Sequence, residues 1–371
     1  MLYTYLKDIY DATERKRTVE HLTKLRDQLT KQLPPKKAEE TLLLATWNIR
    51  QFTDNRRKES YMYIAEILSR FDLIAVQEVK EQMKGLTKVM NILGKDWTYI
   101  VTDVSEKLDG GNGERIAFIY DKRKVSFKNM AGEIVLPSDK LIQGMQFART
   151  PFCVSFQAGW FKFNLATVHI FYGDEKEELE RRKAEIRTIG EFLSARAKDE
   201  KTSYIILGDF NIPEVGDEYM NALESSGFHI PSRIKDHPTN FGEETRHYDQ
   251  IAFNLQLEEG LEVLDEDQMQ SGAFDFTESV YNDKDYEEYI DVMPAKKGGG
   301  GKRTGEAAKK YFHQTYRINQ MSDHMPLWVE LKVDFSSQYI EKQKQAAIKE
   351  LEAEAKAKEE EEAKKAKKEK K

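Results

Sequence analysis

The stretch Tyr204-Ile205-Ile206-Leu207-Gly208-Asp209-Phe210-Asn211 decides how this sequence is read. Four apolar residues bounded by polar ones have the length and composition of a fully buried strand. The strand runs into a glycine, then an aspartate and an asparagine two positions apart. In extended backbone, residues i and i+2 point the same way. One carboxylate and one amide can therefore face a common phosphate or metal. Loops at strand ends are where functional groups gather on a rigid scaffold.

Working outward, the same grammar recurs. Leu42 to Thr46 reads as a strand and leads into Trp47-Asn48-Ile49-Arg50. Leu73 to Gln77 is a buried strand that runs into Glu78. Hard oxygen ligands suit Mg²⁺, so Glu78 is a metal candidate; Asn48 can bind a carboxylate, a metal-bound water or a phosphate oxygen. Glu114 opens the strand Arg115 to Tyr120, and His169 closes the strand Phe163 to His169. Asp249 precedes the strand Gln250 to Phe253. Ser322-Asp323-His324 precedes the last strand, Pro326 to Leu331. The Asp-His pair lacks the cysteines and histidines of a zinc spacing. It suits acid-base work in which His324 is oriented by a second carboxylate. His21, His229, His237 and His313 carry no motif and read as structural or surface residues.

Further strands are expected at Thr98 to Thr102 and Phe152 to Phe156, and helices at Arg56 to Arg70, Glu81 to Leu93 and Glu175 to Arg196. Strands alternating with helices suit a layered α/β domain, sheets covered by helices. Residues 1–40 show helical spacing in Leu2, Leu6 and Ile9 and in Leu22, Leu25 and Leu29, ending at Pro34 and Pro35. The division expected is a helical N-terminal extension (1–40), a catalytic domain (41–335) and a charged tail (336–371) that is helical or disordered. Within the domain, about 264–314 reads as a polar surface insertion. Its glycine-rich run from Lys296 to Lys302 is expected to be a flexible loop with exposed cations.

Composition bounds the function. The 371 residues are 39% hydrophobic and 33% charged, with a net charge of −7. No apolar run approaches the roughly 20 residues of a membrane span. One cysteine, Cys153, excludes an intrachain disulfide framework. Transmembrane, collagenous, disulfide-scaffold and zinc-ribbon classes are set aside, and a cytoplasmic enzyme is the expectation. An acidic chain does not advertise nucleic-acid binding, though bound cations or a local basic patch reverse the sign at one site.

Taken together and in order, WNI, QEV, TVH, GDFN, YDQI and SDH resemble the endonuclease/exonuclease/phosphatase family, over about Leu42 to Val333. Within it the pattern is most similar to deoxyribonuclease I-type nucleases, through Asn48-Ile49, Glu114-Arg115 and Arg149-Thr150-Pro151. The resemblance implies a four-layer α/β sandwich of two packed mixed sheets flanked by helices. It implies a Mg²⁺-dependent phosphodiesterase, with Mn²⁺ or Ca²⁺ as substitutes, hydrolysing DNA by in-line attack of water. His169 would pair with Glu114, and His324 with Asp249. Asp209, Asn211 and Asp323 would bind phosphate or a second metal. Arg149, Arg115 and Lys80 would contact substrate phosphates. His324 is expected as base and His169 as acid, roles that could be exchanged. Two departures bear on DNA: Asn112 stands where the nucleases carry an aromatic residue, and Lys80 where they carry an arginine. The competing readings are a same-fold enzyme acting on an inositol phosphate, a sphingolipid or a nucleotide, and a catalytically dead binding module. No protein partner is identifiable from sequence.

Overall fold

Every strand that ends in one of the polar patches lies in one of two packed sheets in the computed structural model. The structure describes all residues except 106–111, 243, 258–261, 296–300 and 370–371. In chain order the elements begin with α1 (Ala12–Gln32), β1 (Thr41–Phe52), α2 (Lys58–Leu68), β2 (Leu73–Lys80), α3 (Lys84–Leu93), β3 (Trp97–Val101), β4 (Glu114–Asp121) and β5 (Val125–Glu133). Then follow β6 (Phe152–Ala158), β7 (Phe161–His169), α4 (Lys176–Glu200), β8 (Ser203–Asp209), α5 (Glu218–Ser225), α6 (Ser232–Lys235), β9 (Asp249–Asn254) and β10 (Ser271–Ala273). The chain closes with α7 (Tyr286–Tyr289), α8 (Gly305–Tyr311), α9 (Arg317–Gln320), β11 (Leu327–Lys332) and α10 (Ser336–Glu369).

One sheet has the order β10-β11-β1-β2-β4-β3, the other β5-β6-β7-β8-β9. Apolar residues from both sheets, among them Leu44, Ala75, Phe118, Phe156, Leu165 and Ile206, form the core between them. A second core lies on the outer face of the six-stranded sheet, under α1, α2 and α3. With α4 and α5 packed on the other sheet, the molecule is the expected four-layer α/β sandwich.

The topology places the polar patches at one end. Each sheet has one parallel pair, β1 with β2 and β7 with β8. The C-terminal ends of a parallel pair emerge on the same side of the sheet. Antiparallel neighbours begin where those strands finish: β4 beside β2, β9 beside β8 and β11 beside β1. Asn48, Glu78, His169 and Asp209 at strand ends thus share an edge with Glu114, Asp249 and His324 at or before strand starts.

Gly208 is built into this arrangement. Its φ is +138°, and a Cβ there would lie 2.1 Å from the Val168 carbonyl oxygen. Only glycine lets β8 run this close to β7.

Two features differ from the sequence reading. The stretch Val125–Glu133 is a strand although five of its first eight residues are polar or small; it is a mostly exposed edge strand paired to β6. The insertion is not a solvated loop throughout: Tyr281, Tyr289 and Phe312 are fully buried and pack on one another. The glycine-rich loop lies mostly outside the described residues, at 296–300. In line with the expected helical extension, α1 is a single helix capped by Asp11, whose side chain accepts from the Glu14 N–H, and it buries Leu22, Leu25 and Leu29. Among the described residues, no helix is long and apolar enough to cross a membrane.

Candidate active site

Asp209 is the centre. Its Oδ2 accepts a hydrogen bond from the Asn48 side-chain amide at 2.9 Å. The same oxygen lies 3.7 Å from His169 Nε2 and 3.8 Å from His324 Nε2. Two imidazoles from different segments therefore face one carboxylate oxygen. Asp209 Oδ1 accepts from the backbone N–H of Asn211, which fixes the carboxylate.

Each imidazole has a carboxylate at its other nitrogen. His324 Nδ1 is 2.7 Å from Asp249 Oδ2. His169 Nδ1 is 3.1 Å from Glu114 Oε2, a close contact but misaligned as a hydrogen bond. Acid-base contacts in the absence of substrate are often loose in this way. His169, His324, Glu114, Asp249 and Asp209 are all buried.

The charges act on one another. Burial raises the Glu114 carboxyl, but the His169 ring, Arg149 and Lys80 outweigh it and hold the group at about 2. The contacts are Arg149 Nε at 3.3 Å and Lys80 Nζ at 3.2 Å. For His324, burial lowers the pKa, and Asp249 and Asp209 reverse this and push it up to about 10. Burial also raises Asp249. The His324–Asp249 pair therefore keeps a proton well past neutrality as a unit.

Glu78 stands at a break in the ladder. Registers shift between Asn48 and Phe52 on β1 and between Val76 and Val79 on β2. Glu78 has a φ of 58°, and its Oε2 accepts from the Gln51 N–H at 2.7 Å. Bulges of this kind re-aim a side chain beside a site. Next to it, Asn48 Oδ1 is a buried oxygen without a hydrogen-bond partner. A carboxylate plus an unpaired buried amide oxygen is a hard-oxygen donor set, so these residues fit a divalent cation such as Mg²⁺.

Some expected residues are engaged elsewhere. Asp323, expected at metal or phosphate, is ion-paired with Arg50. Arg115 gives its guanidinium to the carbonyls of Thr102 and Glu81. Lys80 and Arg149 both face Glu114, and Arg149 also lines a cavity of about 400 Å³ with Thr102, Ser105, Glu133 and Thr150. Asn211, at φ 54°, donates its amide to the Ile170 carbonyl.

Sequence reasoning missed the braces. Ser322 Oγ donates to the Asn48 carbonyl and accepts from the N–H groups of Arg50 and His324. It ties β1 to the loop before β11. Trp47 Nε1 donates to the His324 carbonyl at 2.8 Å, and Tyr248 lies 5.7 Å from the His324 ring. Buried Gln77 bridges Thr46 and Thr167, one from each sheet. The adjacency of Ser322 to Asp323-His324, and of Gln77 to Glu78, was the available signal.

Residues 45–257, more than half of the chain, match the model of the endonuclease/exonuclease/phosphatase family. The chain belongs to that family. A deoxyribonuclease of Thioalkalivibrio sp. is 29% identical over 187 residues, 49% of this chain and 49% of the relative. The chain thus spans about half the length of the curated relative it matches. Among solved structures, a mannosyl-6-phosphatase from Bacteroides thetaiotaomicron superposes with a TM-score of 0.48 at 17% identity, covering 78% of this chain and 99% of that one. An endonuclease/exonuclease/phosphatase family protein from the same organism gives 0.49 at 17% identity, over 80% and 97% of the two chains. Enzymes of this family are generally divalent-metal dependent.

Proposed function

We propose that this chain is a Mg²⁺-dependent endonuclease that hydrolyses a DNA phosphodiester by in-line attack of water. The observation that carries the reading is the convergence of two carboxylate-backed imidazoles, His169 and His324, on Asp209 Oδ2. The relative named a deoxyribonuclease supports nucleic acid as the substrate class.

In-line displacement needs a base on the water side of phosphorus and an acid on the leaving-oxygen side. Two imidazoles facing a shared point supply both. Asp249 and Glu114 set the tautomers, so that each Nε2 faces the reacting group. His324 is the base and His169 the acid. Asp249, and after it Asp209, favour the protonated ring of His324, so the base and acid roles exchange if His324 enters the reaction protonated. Glu78 and Asn48 would hold the cation. When bound, a divalent cation neutralises phosphoryl oxygens, stabilises the leaving oxygen and offsets nearby carboxylates. Asp209 and Asn211 orient the phosphate, and Arg149, beside Glu114, grips one of its oxygens. A cytoplasmic setting completes the reading.

The test is nicking of supercoiled plasmid with Mg²⁺ or Mn²⁺, an EDTA control, and His169→Ala beside wild type. Metal-dependent nicking that the variant lacks is the expected result. Intact plasmid throughout would overturn DNA as substrate. Inositol phosphates, sphingolipids and nucleotides would then be assayed with the same protein.

A further inference from the structure

A second cluster of titratable groups lies away from the hydrolytic centre. His21 on α1 faces Asp285 and Glu288, which sit at the start and third position of the short α7 turn in the insertion. One ligand atom from each residue lies within 4.8 Å of the others. His21 Nε2 is 3.7 Å from Asp285 Oδ2 and 4.0 Å from Glu288 Oε2.

We propose that His21, Asp285 and Glu288 form a divalent transition-metal site of the Zn²⁺ class, which pins α1 to the insertion.

The distances favour a cation over hydrogen bonds. Both gaps exceed the 3.2 Å or so at which N–H···O bonds weaken. Two ligands at about 2.05 Å from a tetrahedral Zn²⁺ stand about 3.4 Å apart, so the two His21 distances need to shorten by only a few tenths of an ångström, and the half-exposed Glu288 side chain supplies the remaining closure from within 4.8 Å. One imidazole and two carboxylates are an N/O donor set that zinc accepts, with a fourth position left for water.

The independent observation is His21 itself. The residue is 2% exposed, its Nε2 has long contacts to the two carboxylates, and its buried Nδ1 has no hydrogen-bond partner among the described residues. A buried imidazole held only by such long contacts calls for an explanation. Its Nε2 is aimed at the two carboxylates. Asp285 is held in place because its Oδ2 accepts from the Asn282 N–H at 2.7 Å. Glu288 is half-exposed, which provides an entry path.

The surrounding charges allow the site. Arg17, one turn before His21, is occupied by Glu59 through two contacts and by the Glu288 carbonyl. Lys24 is the other cation on α1 that acts on this cluster. Tyr63 of α2 closes the remaining side, its ring 6.4 Å from that of His21. All three ligands lie outside residues 45–257, the part matched to the family. The site is separate from the hydrolytic centre, and it stands whether or not DNA is the substrate.

The test titrates ZnCl₂ into the full chain and into Glu288→Gln and His21→Gln. It reads bound zinc by atomic emission after dialysis, and thermal melting with and without zinc. Wild type should bind one zinc more than either variant, and zinc should raise its melting temperature by mass action. In Glu288→Gln the affinity for that zinc should fall about 10-fold or more, while Mg²⁺-dependent hydrolysis is unchanged. Because Glu288 is half-exposed, this variant keeps the fold even if His21→Gln does not. Equal stoichiometry and affinity in wild type and Glu288→Gln would overturn the proposal, leaving the cluster an ion-pair network.

Discussion

At the scale of single residues, the site is a chain of dependencies that begins at carboxylates. Replacing His169 or His324 with alanine should lower the hydrolytic rate at least ~10²-fold, since each brings its Nε2 within 4 Å of Asp209 Oδ2. Single-turnover kinetics with folding checked by circular dichroism would decide it, and near wild-type rates would remove that histidine from the mechanism. Glu114 gives a stability signature that does not need substrate. Its folded-state pKa of about 2 lies below the ordinary 4.5. A depressed carboxyl contributes stability that is full above the ordinary value and is lost as pH falls through the folded one. Wild type should therefore lose stability between about pH 4.5 and 2, and Glu114→Gln should show a flatter slope across that window in urea melts. Unchanged slopes would mean that Lys80, Arg149 and His169 do not act on this group. Much at this scale was legible in the sequence: Asn48, Glu78, Glu114, His169, Asp209, Asn211, Asp249 and His324 all sit where an apolar run stops or starts. The pairing of Arg50 with Asp323 was not, because the residues are 273 positions apart and each is an ordinary surface charge when read alone.

At the scale of elements, the two parallel strand pairs do the positioning. Where β7 and β8 approach, Gly208 is the constraint. Gly208→Ala would force a Cβ to within 2.1 Å of the Val168 carbonyl at a φ of +138°. Something must move, and we expect a loss of roughly 3 kcal/mol or more, with activity falling because Asp209 is the next residue. Denaturant melts of wild type and variant would measure it; a loss below ~1 kcal/mol would show that the strands part easily. The central strands were readable because both faces are buried, which leaves uninterrupted Val, Ile and Leu runs. Strand β5 was not, since an exposed edge strand such as Val125-Ser126-Phe127-Lys128-Asn129 carries alternating polar residues and no continuous apolar signal. The insertion misled for a related reason. Tyr281, Tyr289 and Phe312 are separated by acidic and basic residues, so their common burial exists only once the chain has folded back on α1 and α2.

At the scale of the whole molecule, an acidic protein is asked to hold a polyanion. The net charge is −7, and several cations near the site are already ion-paired: Lys80 and Arg149 share Glu114, and Arg50 pairs with Asp323. On the proposed function, long-range attraction for a duplex would therefore be weak, and binding would rest on a few local phosphate contacts and the cation. Each neutralised phosphate contributes a slope of about −0.9 in a plot of log affinity against log salt. Two or three such contacts give an overall slope between about −2 and −3, shallower than that of a strongly basic DNA-binding protein. The measurement is kcat/KM for plasmid nicking at subsaturating DNA over 50 to 200 mM potassium chloride, roughly the range over which such slopes are read. Mg²⁺ is held constant, because competition between potassium and a changing Mg²⁺ level would distort the slope. A slope in this range means that the chain tracks the backbone through a small footprint around Arg149 and Lys80. A slope of zero means that only the reacting phosphate matters, and the preferred substrate is then a small phosphoester rather than a long polyanion.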